Sequence, residues 1–539
     1  MDHTAEKLQG GLESTGGNRA ILITGLIIAM LFGSLDQTIV GTAMPRIIGE
    51  LGGLSMMTWV TTAYMLASTT VVPIAGKLAD LMGRKSIYVT GLLIFVIGSA
   101  MCGLAQNMTQ LIWFRGLQGI GAGVMMPMAM IIIGDLFTGK QRAKWQGIFG
   151  AMFGLSSVIG PQIGGWIVDA SHWRWVFYIN LPIGVLAIIL ISIGLGKSQL
   201  KKNIQFDWAG IFTMIVGVVS ILLGLTMGGN QYEWASWQII GLFGIGVITL
   251  TLFTWIESRA AEPILPVRLF KHKTFLTLNG IGFLMSVGMF GSIMFVPLYL
   301  QGILGVSASA SGSAMTPMML TIVLGSILGG RLVQKLGVRL QTATGMVIMA
   351  ISFVLLSTLA IDTSRWMVTL YMVVLGMGMG LVMPILTVAL QESFPKSELG
   401  VVTSSSQFSR QIGGTFGMAI LGAVLNAKSS QLLTDKMEPI AARMPGNEMI
   451  QQLMVKVNEN AQGLYSSLLD PKTLAKMPPM FNESVLPILK TSLVQSLHSV
   501  FLFGLVFVLL GTVLTVFLGN VRISDREEEK GEEPLPEVK

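Results

Sequence analysis

Gly76 to Lys85 reads GKLADLMGRK, and Gly330 to Arg339 reads GRLVQKLGVR. Gly76 pairs with Gly330, Lys77 with Arg331, Leu78 with Leu332, Gly83 with Gly337 and Lys85 with Arg339, whereas Asp80 is answered by Gln334. Each copy follows a long apolar run. A second pair agrees in register: GIGAGVMMP from Gly119 to Pro127 is answered by GMGMGLVMP from Gly376 to Pro384. The two offsets are nearly equal, so the chain contains a duplicated half rather than one repeated turn.

Composition sets the solvent. Of 539 residues, 52% are hydrophobic and 12% charged, where soluble chains carry about a quarter charged residues. The apolar residues fall in blocks long enough to cross a bilayer, which takes about 20 residues each. About fourteen blocks are read on that length rule, near 20–41, 57–78, 86–105, 109–134, 145–168, 174–196, 207–227, 236–257, 275–299, 311–333, 342–361, 366–391, 404–426 and 495–519. The expected fold is an all-α polytopic membrane protein with two pseudo-symmetric six-helix halves and two inserted spans, 14 transmembrane helices in all. The expected division is a polar tail 1–18, a six-span half 19–200, an inserted pair 201–260, a second half 261–519 and an acidic tail 520–539. Within the second half, 427–494 is expected outside the cell, where a short helical hairpin is plausible. The first span is too long for a signal-peptide core and reads as retained.

Basic residues orient the spans. Loops after even-numbered spans hold Lys77, Arg84, Lys85, Lys140, Arg142, Lys144, Arg259, Arg268, Arg331, Lys335 and Arg339, while the other loops hold few. Both termini are therefore expected in the cytoplasm. The formal charge of +7 reflects this topology and is no sign of nucleic acid. Cys102 is the only cysteine, so an internal disulfide is excluded and a thiol-ligated metal site is not expected. No phosphate-binding GxxxxGK[ST], HExxH or GxSxG is present. No metal, cofactor or ATP-driven step is expected, which leaves an electrochemical gradient as the energy source.

Asp36, in SLDQTIVGTAMPR, is the one acid that looks embedded in a span. A carboxylate there costs at least a few kcal/mol and is a functional candidate by default. Desolvation favours the neutral form of such an acid, which suits it to carry a proton. The competing reading places Asp36 in hydrated surroundings near the outer surface. Arg115 is the expected partner, roughly 9 Å inside the outer boundary at about 1.5 Å per residue. The pair reads either as a proton-driven switch or as a static ion pair. Gly76, Asp80, Gly83, Arg84 and Lys85 read as a latch on the cytoplasmic side, stronger in the first half because the second copy lacks the acid. Gly160, Pro161, Gly164 and Gly165, in SSVIGPQIGGW, suit a hinge or tight packing alone. Gln37, Gln118 and Gln162 are possible cavity-lining residues. Arg410 is expected to reach the inner interface or pair with a polar neighbour such as Glu392.

These stretches resemble the major facilitator superfamily, and within it the fourteen-span drug:proton antiporters of the EmrB/QacA type. LDQTIVGTAMP resembles that group's first-span signature, with Gly41 where asparagine is usual. LIWFRGLQGIGAG resembles the fourth-span motif, and SSVIGPQIGGW the antiporter motif with Ser156 where glycine is common. HWRWVFYINLPIG, from His172, and EPILPVRLF, from Glu262, resemble two further segments. The resemblance implies export of amphipathic, often cationic compounds in exchange for protons, with Asp36 as the protonatable acid and Arg115 as its coupling partner. It implies a multi-pass protein of the plasma membrane of a Gram-positive bacterium, working as a monomer on small molecules. An exporter dedicated to one metabolite (an antibiotic, lipid or siderophore) fits the same scaffold. A non-transporting membrane sensor is a further alternative, and no enzyme is expected.

Overall fold

The computed structural model describes residues 19–52, 56–137, 139–196, 206–229, 231–306, 308–443, 455 and 485–519. The tails 1–18 and 520–539, and most of the expected outer hairpin, lie outside the described residues. The rest is helical. The first half comprises α1 (Arg19–Leu51), α2 (Met57–Met82), α3 (Arg84–Leu104), α4 (Met108–Leu136), α5 (Gly139–Ala170), the short α6 (Trp175–Tyr178) and α7 (Asn180–Gly194). The pair α8 (Trp208–Met227) and α9 (Trp237–Glu257) follows. The second half comprises α10 (Lys273–Gly302), α11 (Ala308–Leu356), α12 (Arg365–Glu392), α13 (Leu399–Arg443) and α14 (Leu486–Leu514).

Among the described residues, 11 helical segments are long and apolar enough to cross a membrane. The segment within α11 is counted once among them, although Gly337, at φ 73, breaks the helical path inside it. Neither α5 nor α13 meets that apolarity threshold. α5 opens on a basic, polar turn and α13 carries a run of serines and glutamines.

The repeated glycines explain how each half packs. A Cβ on Gly119 or Gly123 of α4 would strike the backbone of α2 at Tyr64 or Ser68, and one on Gly121 would strike α3 at Phe95. Their counterparts behave alike. Gly376 and Gly380 of α12 meet the backbone of α11 before its break, at Met318 and Ile322, and Gly378 meets it after the break, at Gly345. Small residues allow backbones to approach this closely where lipid supplies no hydrophobic drive between helices. The duplication is thus one of contacts as well as of letters.

The inserted pair belongs with the second half: Met214, Val218, Leu222 and Phe253 join the core around Ile281, Met285 and Phe353. Trp113, Trp166, Trp237 and Trp366 are exposed near the ends of their helices opposite the basic turns, where amphipathic rings suit the headgroup region.

Several helices run past the expected spans, α1 to Leu51 among them, and two extend into the segment 427–494. α13 continues from Leu399 to Arg443, so its 45 residues span about 68 Å at a rise of about 1.5 Å each. That exceeds the roughly 30 Å hydrocarbon core. The polar stretch after Asn426 lacks apolar length but also lacks a breaker before Pro439, so the helix does not end where the bilayer does. α14 begins at Leu486 because Pro487 fits the first helical turn, where its missing N–H costs nothing.

Candidate functional site: a buried carboxylate cluster and a basic turn

α1 brings Asp36 against α4, and α4 presents Arg115 and Gln118 one turn apart. Arg115 Nη1 donates to Asp36 Oδ2 at 2.6 Å and to Gln118 Oε1 at 2.6 Å. Gln118 Nε2 donates to Asp36 Oδ1 at 2.9 Å. A fourth member comes from α7: Asn180 Nδ2 donates to Asp36 Oδ1 at 2.8 Å and to Ser99 Oγ of α3 at 3.0 Å. Ser99 in turn donates to the Phe177 carbonyl at 2.9 Å. The Arg115 guanidinium lies 4.1 Å from the centre of the Tyr64 ring, a cation–π arrangement from α2.

Burial is complete. Asp36 and Arg115 are each 1% exposed, and Gln118 and Ser99 are not exposed at all. An ion pair this far from water survives because every Asp36 oxygen has a donor; desolvating a half-satisfied pair costs several kcal/mol per ion. Arg115 Nε has no partner among the described residues. The competing sequence reading, a hydrated Asp36 near the outer surface, does not describe this geometry. Gln118 belongs to the carboxylate cluster, while Gln37 and Gln162 are exposed.

Sequence reasoning quoted Asn180 within a motif but gave it no role, and it passed over Tyr64 and Ser99. Asn180 sits just past the break between α6 and α7, where the chain WRWVFYIN turns into its span. A polar amide opening an apolar run is the signal that was available. Replacing Asn180 with Leu removes a hydrogen bond to a charged group, an interaction of about 1.5–3 kcal/mol. We expect Asn180→Leu to destabilise the folded protein by about 1.5–3 kcal/mol, read as an earlier thermal transition of the purified protein in detergent. An unchanged transition would deny that Asn180 helps to hold the Asp36 carboxylate.

α5 lies against α1 through the GPQIGG stretch. A Cβ on Gly160 would strike Thr38, and one on Gly164 would strike Thr42. Thr38 Oγ1 also donates to the Ser156 carbonyl at 3.1 Å, so the serine position is part of the same seam. Gly165 meets nothing within 4 Å. We expect Gly160→Val to destabilise the folded protein by about 1–3 kcal/mol, as overpacking does, and Gly165→Ala to leave it unchanged. Thermal unfolding of the purified protein in detergent separates the two; equal effects would deny that contact with α1 is what the motif serves.

At the basic end, Asp80 links both halves. It forms an ion pair with Arg84, and it accepts from Gly400 N at 3.1 Å and Val401 N at 2.9 Å. Those amides open α13, so the carboxylate caps a helix N-terminus, where negative charge is favoured. Arg84 Nε reaches Asp135 Oδ2 of α4 at 3.0 Å. Lys85 donates to the carbonyls of Ser192 and Leu195 at 2.6 and 3.0 Å, closing the C-terminus of α7. Lys77 pairs with Glu262 at 2.7 Å, tying the turn to the segment after α9. Gly83, at φ 86, provides the left-handed corner, and Gly76 lies so close to Gly400 and Ser404 that a side chain there would collide. In the second copy, Arg331, Gln334, Lys335 and Arg339 are all exposed.

Further contacts join the halves from this end toward the middle. Arg142 Nη1 donates to Glu392 Oε1 at 2.8 Å, and Gln146 and Gln391 meet at 3.3 Å. Gln407 of α13 reaches Met126 of α4 at 3.2 Å. Arg410 pairs with polar neighbours, one of the two expectations, but these are Thr387, Ser406 and Gln407 rather than Glu392. At the opposite end, Glu50 forms an ion pair with Arg174, lies 2.9 Å from His172 Nε2, and accepts from Trp173 at 2.7 Å. The Arg174 hydrogen bond holds the Glu50 carboxyl below its ordinary range, against partial desolvation.

Residues 26–418 match the Major Facilitator Superfamily. The chain belongs to this family and is a multi-pass membrane protein. It is 60% identical over 523 residues, 97% of each chain, to the multidrug transporter protein MdtP of Bacillus subtilis. It is 35% identical to multidrug resistance protein 3 of the same organism over 509 residues, covering 94% of this chain and 96% of that one. Among solved structures, the human organic anion transporter MFSD10 superposes with a TM-score of 0.59 at 12% identity, over 92% of this chain and 99% of that one. A bacterial homologue of the human lysosomal transporter Spinster gives 0.55 at 19% identity, over 94% and 99%. These two likenesses are of fold.

Proposed function

We propose that the chain exports amphipathic compounds across a bacterial plasma membrane in exchange for protons. The observation that carries this reading is the buried Asp36–Arg115 pair with both carboxylate oxygens satisfied. A carboxylate inside a membrane bundle that is hydrogen-bonded to two neighbouring helices, α4 and α7, has the chemistry of a proton carrier. Protonating Asp36 removes the charge that compensates Arg115, and breaking a buried pair costs about 3–5 kcal/mol. At about 1.4 kcal/mol per decade that shifts a two-state ratio by roughly a hundredfold to a few thousandfold, most of the about 5.5 kcal/mol that takes 1:99 to 99:1. Arg115 then seeks other acceptors, α4 shifts against α1 and α2, and the halves rock. The family and the names of the relatives support multidrug substrates for this chain as well.

The topology we propose is the fourteen-span arrangement of the EmrB/QacA type. α1 to α5 give five passes, α6 with α7 a sixth, and α8 and α9 the inserted pair. α10, the two parts of α11 on either side of Gly337, α12, α13 and α14 give six more. With the basic turns in the cytoplasm, both termini lie inside and the Asp80 latch closes the cytoplasmic face. The contacts of Asp80 with Gly400 and Val401 and of Arg142 with Glu392 support an arrangement whose cytoplasmic side is shut.

The test is efflux of a cationic dye from proteoliposomes under an imposed pH gradient. Uphill movement that collapses when the gradient is dissipated is expected. Movement that follows the dye gradient alone would overturn the proposal.

A further inference from the structure

Arg115, Arg142 and Arg410 are the buried arginines among the described residues; the first two pair with Asp36 and Glu392, and the surroundings of Arg410 differ from both. It is 6% exposed. Its Nη1 donates to Thr387 Oγ1 at 3.2 Å and Ser406 Oγ at 3.0 Å, and its Nη2 to Gln407 Oε1 at 2.8 Å. Among the described residues no carboxylate pairs with it. All three acceptors are neutral. A guanidinium cannot lose its proton under ordinary conditions, so the charge stays in place without an internal counter-ion, at a cost that structural packing alone does not explain. An apolar side chain of similar size is often neutral or better at such a site, and this chain does make that exchange elsewhere, with Met372 at the position matching Arg115.

The position is equally specific. Arg410 lies eleven residues into α13 from Leu399, about 16 Å from the latch at about 1.5 Å per residue. Gly282 of α10 and Leu386 of α12 flank the arginine stem: a Cβ on Gly282 would make ordinary contact, 3.4 Å from Arg410 Cγ and 3.7 Å from Leu386. The neighbouring Gln407 spans to Met126 of α4, so the niche borders the plane where the halves part. Thioether and leucine side chains beside a fixed cation make a surface for an apolar body with one negative group.

We propose that Arg410, with Thr387, Ser406 and Gln407, binds the anionic group of an amphipathic substrate, a monoanion such as a carboxylate on an apolar body. The inference rests on the export reading above and extends its substrates beyond cations. Asp36 and Arg115 carry the proton in the first half, and Arg410 receives the anion in the second. When the halves part, the anion replaces Gln407 or a hydroxyl at the guanidinium fork.

Binding of a dansyl-labelled undecanoic acid and of its uncharged methyl ester to the full chain in zwitterionic-lipid nanodiscs tests this. Wild type is expected to bind the acid at least tenfold more tightly than the ester. Arg410→Met is expected to equalise the two without weakening the ester. Gln407→Glu, which places a carboxylate against Arg410, is expected to do the same and serves where Arg410→Met does not fold. Equal binding by wild type, or an acid preference that survives both substitutions, would overturn the site. Efflux of a cationic dye under a pH gradient is read on the same protein. If it proceeds without any acid preference, the anion site fails and the export reading stands. If the acid preference holds without pH-driven efflux, the site stands and the export reading fails.

Discussion

Asp36→Asn is expected to abolish pH-driven uphill efflux, lowering its initial rate by about 100-fold or more, about 2.7 kcal/mol in rate terms. The substitution is isosteric, so Gln118 and Asn180 still find a polar side chain, but nothing at that position binds and releases a proton. Downhill equilibration of the dye should continue. Arg115 loses its only described carboxylate, and an unpaired buried charge costs about 3–5 kcal/mol, so the single variant should also melt earlier. Joining Asp36→Asn to Arg115→Met is expected to restore stability and not coupling. That non-additivity separates a switch from a static strut. If Asp36→Asn still concentrates dye against its gradient and remains sensitive to pH, the coupling role is wrong.

The partners of Asp36 show what a sequence can disclose about such a site. A lone acid and a lone arginine in apolar runs stand out because each is expensive where it sits. Asn180, Ser99 and Tyr64 cost far less in a membrane helix and leave no comparable mark, though without Asn180 one oxygen of Asp36 loses a donor. The seam between Gly160 and Thr38 was legible as small-residue spacing, but not which helix it faced. Which helix Asp80 caps was not legible for a different reason: 320 residues separate the acid from Gly400, and only the folded halves bring them together. Arg410 illustrates a third limit. A polar helix face with one arginine suggests an acid partner, and the sequence offers Glu392 within reach, yet in the fold Glu392 accepts from Arg142 and Arg410 turns to hydroxyl and amide oxygens. The extension of α13 past its span escaped a length rule because helices end at breakers, not at the bilayer surface.

Gly76→Val carries the second large expectation, because the close approach of α2 and α13 is what shuts the basic face on the proposed mechanism. An added side chain at Gly76 would meet Ser404 Oγ and the Gly400 carbonyl, in a place where backbone must move. Overpacking of this kind costs about 1–3 kcal/mol, and here the cost falls on the closed state alone. The open state should therefore gain about tenfold in population for each 1.4 kcal/mol. Accessibility reports this directly. With Cys102→Ala to remove the native thiol and Ser404→Cys as the reporter, a membrane-impermeant maleimide applied from the basic face should react at least tenfold faster when Gly76→Val is added. Asp80→Asn should act in the same direction, since it gives up the Arg84 ion pair and the charge on the α13 N-terminus, about 0.3–2 kcal/mol for the helix alone. Arg331→Ala, in the exposed second copy, should change labelling little. If Gly76→Val leaves the reporter as protected as before, or if Arg331→Ala opens the face as readily as Asp80→Asn, the asymmetry between the two copies is not what governs closure.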